Sequence, residues 1–174
     1  DMFDDRRYAL GLLGVILGGN MSSRFFMEIR EKLGLAYYVR ASTQNYTDSG
    51  YLAGSAGIPH GELKRVVGLM IKILKDVKTR GVSEKEIKFA KDYLRGSMAL
   101  SFESSDEIAT FLAEQALFYK KIETPEELFK NIEKVKSGDI MKAVGELLKP
   151  DKLNLAVIGP HRDSKDYINI LKRI

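Results

Sequence analysis

Apolar residues recur along most of this chain at helical spacing, and glycines or proline-containing turns divide the pattern into segments. Residues 8–17 form an apolar run behind Asp1, Asp4 and Asp5, stopped by Gly18-Gly19. The acids stand where a helix dipole favours negative charge, so the run predicts a buried helix. Ser22 or Ser23 can cap a second helix to about Leu33, with Phe26, Ile29 and Leu33 on one face. Gly34 can adopt the left-handed conformation that closes a helix, and Leu35 can fold back on the last turn. Residues 36–46 and 51–58 are then rich in strand formers and separated by Thr47-Asp48-Ser49-Gly50, which predicts a hairpin. Gly54 and Gly57 inside its second strand mark a close backbone approach or a bulge.

After Pro59 the helical period returns. Leu63, Val66, Val67, Met70, Leu74 and Val77 fall on one face of a helix over residues 61–80, ended by Gly81. Ser83-Glu84-Lys85-Glu86 is a capping box opening a helix that turns Ile87, Ala90, Leu94 and Met98 inward. A break at Ser104-Ser105 precedes a helix with Ile108, Phe111, Leu112, Gln115 and Tyr119 on one face. Thr124-Pro125-Glu126-Glu127 opens another with cap, proline and acids in their preferred places. Ser137 is the expected cap of a helix to about Leu148. Residues 153–158, ended by Gly159-Pro160, read as a short buried strand, and a last helix is expected from about Ser164. Strands do not alternate strictly with helices, so the pattern predicts an α+β fold with a mostly antiparallel sheet packed against several helices. With no repeat or linker, residues 1–174 form a single domain. Three strands make a thin sheet, and a strand upstream of Asp1, in a longer polypeptide of which this chain is a part, would thicken it.

Composition narrows the chemistry. The chain has 174 residues with no cysteine, so it has no disulfide, no Cys-bearing zinc site and no thiol nucleophile. Its net charge of +4 is mild and argues for neither a nucleic-acid nor a membrane partner. Residues 61–100 carry ten basic and five acidic side chains and residues 101–133 three and eight, which reads as the solvated faces of surface helices. Arg6-Arg7 before the first apolar run imitates a secretory signal, but the three acids and the poor cleavage site at residues 17–20 oppose it. The run is also short of the ~20 residues that span a bilayer, and a cytoplasmic location is expected. The histidines are His60 and His161. Neither has a second His four residues away, and zinc needs three or four ligands, so no metal or cofactor site is expected in this chain. Gly14, Gly18 and Gly19 do not make a dinucleotide fingerprint, and no G-x-S-x-G elbow appears.

The most specific stretch is residues 17–39, Leu-Gly-Gly-Asn-Met-Ser-Ser-Arg-Phe-Phe-Met-Glu-Ile-Arg-Glu-Lys-Leu-Gly-Leu-Ala-Tyr-Tyr-Val. It closely resembles the second, non-zinc half of the insulinase/pitrilysin family of zinc metallopeptidases, which includes the mitochondrial processing peptidase. The later order of elements fits that family over nearly the whole chain. The resemblance implies an active site shared between two homologous halves. One half carries an inverted His-x-x-Glu-His zinc motif, which has no counterpart here. The other faces the zinc across a chamber and contributes an Arg and a Tyr seven positions apart, a spacing that Arg30 and Tyr37 match.

On residue chemistry alone, Arg30 pairs with an acid of its own helix and Tyr37 is a half-buried strand aromatic. The resemblance instead makes both donors to a peptide substrate and to the oxyanion of its tetrahedral intermediate. It implies zinc in the full enzyme, held by another domain or subunit, with that zinc-bearing half and a peptide as partners. Alone, this chain is expected to be inactive. The alternative is a non-catalytic scaffold or assembly subunit of the same fold, as in some respiratory-complex core proteins of the family.

Overall fold

The computed structural model describes residues 1–161 and 165–174, and the expected helix start at Ser164 falls outside them. Helix α1 (Arg6–Gly14) begins where the acids predict. The Asp4 carboxylate accepts the Arg6 backbone N–H at 2.8 Å and the Arg6 Nε at 2.8 and 2.9 Å. These bonds from Arg6 hold its carboxyl at about 2. The apolar run buries Leu12, Leu13 and Leu17 completely. The helix ends in a wider π-type stretch, Val15–Gly19, which lies across strand β1 (Tyr38–Asn45). A Cβ on Gly18 would stand 2.1 Å from the Ala41 nitrogen, so only glycine fits where these two backbones meet.

β1 pairs antiparallel with β2 (Gly50–Gly57), with Tyr38 opposite Gly57 and Asn45 opposite Gly50. The Tyr46 N–H donates to the Ser49 carbonyl at 2.8 Å to close the turn. Val39 and Ala41 point into the core while Tyr38, Arg40 and Ser42 face outward, the period of a half-buried strand. Gly54 resolves to a close approach. The register runs past it without a bulge, and Phe25 and Met70 fill the space a Cβ would take, at 3.1 and 2.8 Å.

A 3-10 turn (His60–Glu62) leads into α2 (Leu63–Arg80), which buries Val66 and Val77 in the main core. Its Leu63, Val67 and Ile71 form a second cluster with Ile170 of α7 (Lys165–Leu171). The capping boxes of α3 (Glu84–Ser101) and α5 (Pro125–Lys134) form as their sequences predict. Between them α4 (Ser105–Phe118) buries only Gln115 and leaves Ile108 and Leu112 exposed, so its expected apolar face is largely uncovered. Helix α6 (Ser137–Leu147) packs on α1 and α2 and contributes Ile140 and Val144 to the core. The architecture is α+β, mostly helical around a two-stranded antiparallel sheet.

Three local expectations are corrected. Ser137 is not the cap of α6: Asp139 accepts the Lys136 N–H at 2.8 Å, and Ser137 is already helical. The helix after Gly19 buries Phe25 and Ile29 with Leu35, while Leu33 is exposed, because its widened turns rotate the apolar face. Residues 153–158 are not a buried strand. They are irregular in structure, and Leu155, Val157 and Ile158 are exposed. Among the described residues their backbone groups bond to no other backbone, and a strand without a neighbour has nothing to bury it.

Two glycines separate crowding from propensity. Gly18→Ala is expected to destabilise the fold by about 3 kcal/mol, because neither backbone can yield 2.1 Å cheaply. Gly68→Ala, in α2 with nothing within 4 Å of the new methyl, is expected to stabilise by up to ~1 kcal/mol. Urea unfolding of both variants checks the pair.

Candidate functional site

The site is built on the short segment between Gly19 and β1. The Asn20 side chain accepts the Ser22 N–H at 2.8 Å, and the buried Ser23 hydroxyl donates to the Asn20 carbonyl at 2.6 Å. These bonds fix the turn that precedes the helix, and the side-chain cap expected of Ser22 or Ser23 does not form, since the Ser23 hydroxyl turns back to the Asn20 carbonyl. Arg24 follows. Its Nε and Nη2 donate to the two Glu86 carboxylate oxygens at 2.7 and 3.0 Å, Nη1 to Asp76 at 3.1 Å, and Nη2 also to the Gly81 carbonyl at 3.0 Å. One guanidinium thus ties this helix to the end of α2 and the start of α3.

The helix then widens over Phe26–Glu31, with the Lys32 N–H donating to the Met27 carbonyl five residues back at 3.0 Å. Gly34, at φ 62°, reverses the chain. Its N–H donates to the Arg30 carbonyl and the Leu35 N–H to the Ile29 carbonyl, both at 3.0 Å. The Tyr37 N–H then donates to the Gly57 carbonyl at 2.8 Å, which anchors the chain against the end of β2.

Arg30 and Tyr37 flank this turn, one on each arm. Arg30 is exposed, with its guanidinium carbon 5.1 Å from the Phe26 ring centroid. The ion pair of this helix joins Lys32 to Glu28, and among the described residues Arg30 pairs with no acid. Tyr37 is 86% exposed, so it is not a half-buried strand aromatic. The two side chains make no hydrogen bond to each other. Both hydrogen-bond-donating side chains are exposed, on backbone that is hydrogen-bonded on either side of Gly34.

The structure brings His60 and His161 together, with ring centroids 6.1 Å apart. No group of three His, Asp or Glu side chains converges among the described residues. Two imidazoles fall short of the ligand set that zinc takes, so these residues do not fit a zinc site. Reasoning from the sequence missed Arg24. Its signal was present in the Gly81 stop and the Ser83-x-x-Glu86 box, but nothing in the linear pattern places them beside residue 24.

Burial pushes the Glu86 carboxyl upward, yet bonds from Arg24 and from the Ser83 N–H and hydroxyl outweigh it and hold it at about 2. A capping residue is therefore also half of an inter-helix clamp.

The domain is thus α+β and mostly helical, with Arg30 and Tyr37 exposed on either side of the Gly34 turn. Residues 3–94 match the family model described as the peptidase M16 inactive domain, and the chain belongs to that family. It is 34% identical over 161 residues to an uncharacterized zinc protease of Mycobacterium leprae, covering 92% of this chain and 36% of that protein. A conserved protein from Enterococcus faecalis superposes with a TM-score of 0.71 at 27% identity, over 82% of this chain and 33% of the other. A peptidase M16 inactive domain from Pseudomonas fluorescens gives 0.75 at 22%, over 84% and 35%. The chain thus spans little more than a third of the relative's length. Among the described residues no helix is long and apolar enough to cross a membrane.

The Glu86 clamp sets a pH dependence. A carboxyl lowered from its ordinary 4.5 to about 2 contributes stability that is complete above 4.5 and lost as pH falls toward 2. With a side chain 30% exposed, solvent screening reduces that contribution to about 1 kcal/mol. Urea titrations at pH 6, 4 and 2.5 are expected to show Glu86→Gln losing less stability over that window than the wild type.

Proposed function

We propose that this domain is the non-zinc half of a zinc metalloendopeptidase and presents Arg30 and Tyr37 to a peptide held against a zinc-bearing half. That half lies elsewhere on the same polypeptide or on a separate subunit. The observation that carries the reading is the display of both donors, exposed and free of competing acids, on the two arms of the Gly34 turn. The family membership and the relatives named as zinc proteases support it.

The chemistry follows from the donors. Attack on a peptide carbonyl moves negative charge onto its oxygen, and donors already aimed at that point stabilise the transition state more than the substrate. Arg30 offers a permanently charged fork and Tyr37 a neutral O–H, both of which can bond a carbonyl in the ground state and more strongly an oxyanion. Neither accepts the proton of the attacking water, so the general base and the metal belong to the other half. A bound metal would activate that water; this chain binds and orients the substrate. The clamp at Arg24 serves the same end, since donors on a mobile segment would spend their interaction energy on becoming ordered.

The test uses the full-length protein with its zinc half, assayed on a peptide panel. Arg30→Ala and Tyr37→Phe are each expected to lower kcat/KM by roughly 10²–10³-fold. Because both side chains are exposed, stability should stay within ~0.5 kcal/mol of wild type. Unchanged kcat/KM in both variants removes the assigned roles. A zinc-loaded wild type that cleaves nothing in the panel favours the non-catalytic scaffold.

A further inference from the structure

A second polar site lies where α1, α5 and residues 119–124 between α4 and α5 meet. It is an open cleft of about 470 Å³ with a hydrogen-bonded floor and a cationic rim. The floor is built on Arg7 and Glu123, whose side chains are 17% and 14% exposed. The Tyr8 hydroxyl donates to one Glu123 oxygen at 2.7 Å, Asn131 Nδ2 to the same oxygen at 2.6 Å, and Arg7 Nη2 to the other at 3.3 Å. Arg7 also donates to the Tyr8 oxygen at 2.5 Å and to the Met2 carbonyl. Its guanidinium carbon lies 4.6 and 5.3 Å from the centroids of the Tyr8 and Tyr119 rings. The acid of the floor is therefore fully engaged, and the guanidinium is held in place.

The rim differs from the floor. Lys121, Lys130 and Lys134 are exposed and line the same cleft, the last two one turn apart on one face of α5. Lys134 donates one N–H to the Asn131 oxygen at 3.0 Å and Lys121 one to Glu127 at 3.0 Å. Lys130 has no hydrogen bond or ion pair among the described residues. An ammonium carries three N–H groups, so most donors of the rim are unspent. The other carboxylate lining the cleft, Glu127, already accepts from Lys121 and, at 3.1 Å, from the Thr124 N–H. Four cations against two bonded carboxylates leave a surplus of two positive charges. This is more than a solvated helix face, because Glu123 fixes Asn131 and Asn131 in turn holds the Lys134 ammonium from the floor.

We infer that this cleft binds a free polyphosphate anion of the diphosphate class, its oxygens held by Lys121, Lys130 and Lys134. Donor type and span select that class. Ammonium groups are compact point charges that suit phosphate, whereas a carboxylate is best held by a free guanidinium fork, and the fork here is committed to the floor. A single carboxylate also offers two oxygens to three ammonium groups. Side chains four positions apart on a helix start ~5–6 Å from each other, a span that two linked phosphates cover better than one. The cleft offers no stacking wall for a nucleoside, because the aromatic ring in its lining, Tyr119, is covered by Arg7. The proposal does not depend on the roles given to Arg30 and Tyr37.

Isothermal titration of the full-length protein with inorganic diphosphate, at neutral pH and low ionic strength, tests it. Saturable binding is expected, with a Tm that rises as diphosphate is added. Combining Lys130→Gln with Lys134→Gln is expected to weaken that binding by at least ~10-fold, since two charge-assisted donors are lost. Lys64→Gln, which breaks the exposed pair with Asp166 on another surface, should leave it unchanged. ADP is expected to bind no tighter than inorganic diphosphate, and a nucleotide preference of ~10-fold or more overturns the free anion as ligand. Succinate binding as tightly as diphosphate overturns the phosphate class. No saturable binding of diphosphate up to ~10 mM, or equal binding by the wild type and the double variant, overturns the site.

Discussion

The guanidinium of Arg24 is the interaction on which the placement of the site depends. It satisfies acceptors on Asp76, Gly81 and Glu86, so three elements meet at one side chain. Glu86 shares its carboxylate between this clamp and the Ser83 cap. Charge-assisted bonds of this kind are directional, and a planar fork facing a carboxylate tolerates little rotation. The helix that begins at Arg24 is therefore fixed about its own axis, which decides that Phe25 and Ile29 go inward and Arg30 outward. Gly34 and the Tyr37–Gly57 bond then fix where the chain goes next.

The second constraint is one of distance. The end of α1 crosses β1 at Gly18 with no space for a side chain, and Phe25 and Met70 close over Gly54 on β2. The hairpin is held between these contacts, helix backbone against one strand and side chains against the other. A two-stranded sheet is weak by itself. Here it persists because one face is sealed by close approaches that glycine alone permits.

Much of the fold was legible in the chain. The capping boxes at Ser83 and Thr124, the stop at Gly81 and the turn at Thr47 to Gly50 encode local geometry in adjacent residues, and each formed where the pattern placed it. The failures share a cause. Residues 153–158 carry the composition of a strand, but strand identity needs a partner, and local sequence does not report whether one is present. Leu33 fits a 3.6-residue period, yet widened turns rotate it outward. Ser137 is a good cap by type, but Asp139 two residues on bonds the Lys136 N–H instead.

The sequence by itself determined the hairpin and most of the helices, the α+β class, the absence of cysteine chemistry and, through residues 17–39, the family and the Arg30–Tyr37 spacing. Those properties reside in composition or in neighbours along the chain. Only the tertiary structure decided that Arg24 is a clamp, that Arg30 and Tyr37 stand exposed around one turn, and that residues 153–158 are irregular and exposed. The clamp depends on groups 52 to 62 residues apart in sequence being brought to within bonding distance, and exposure depends on which side chains the rest of the fold covers; packing, not local pattern, sets both.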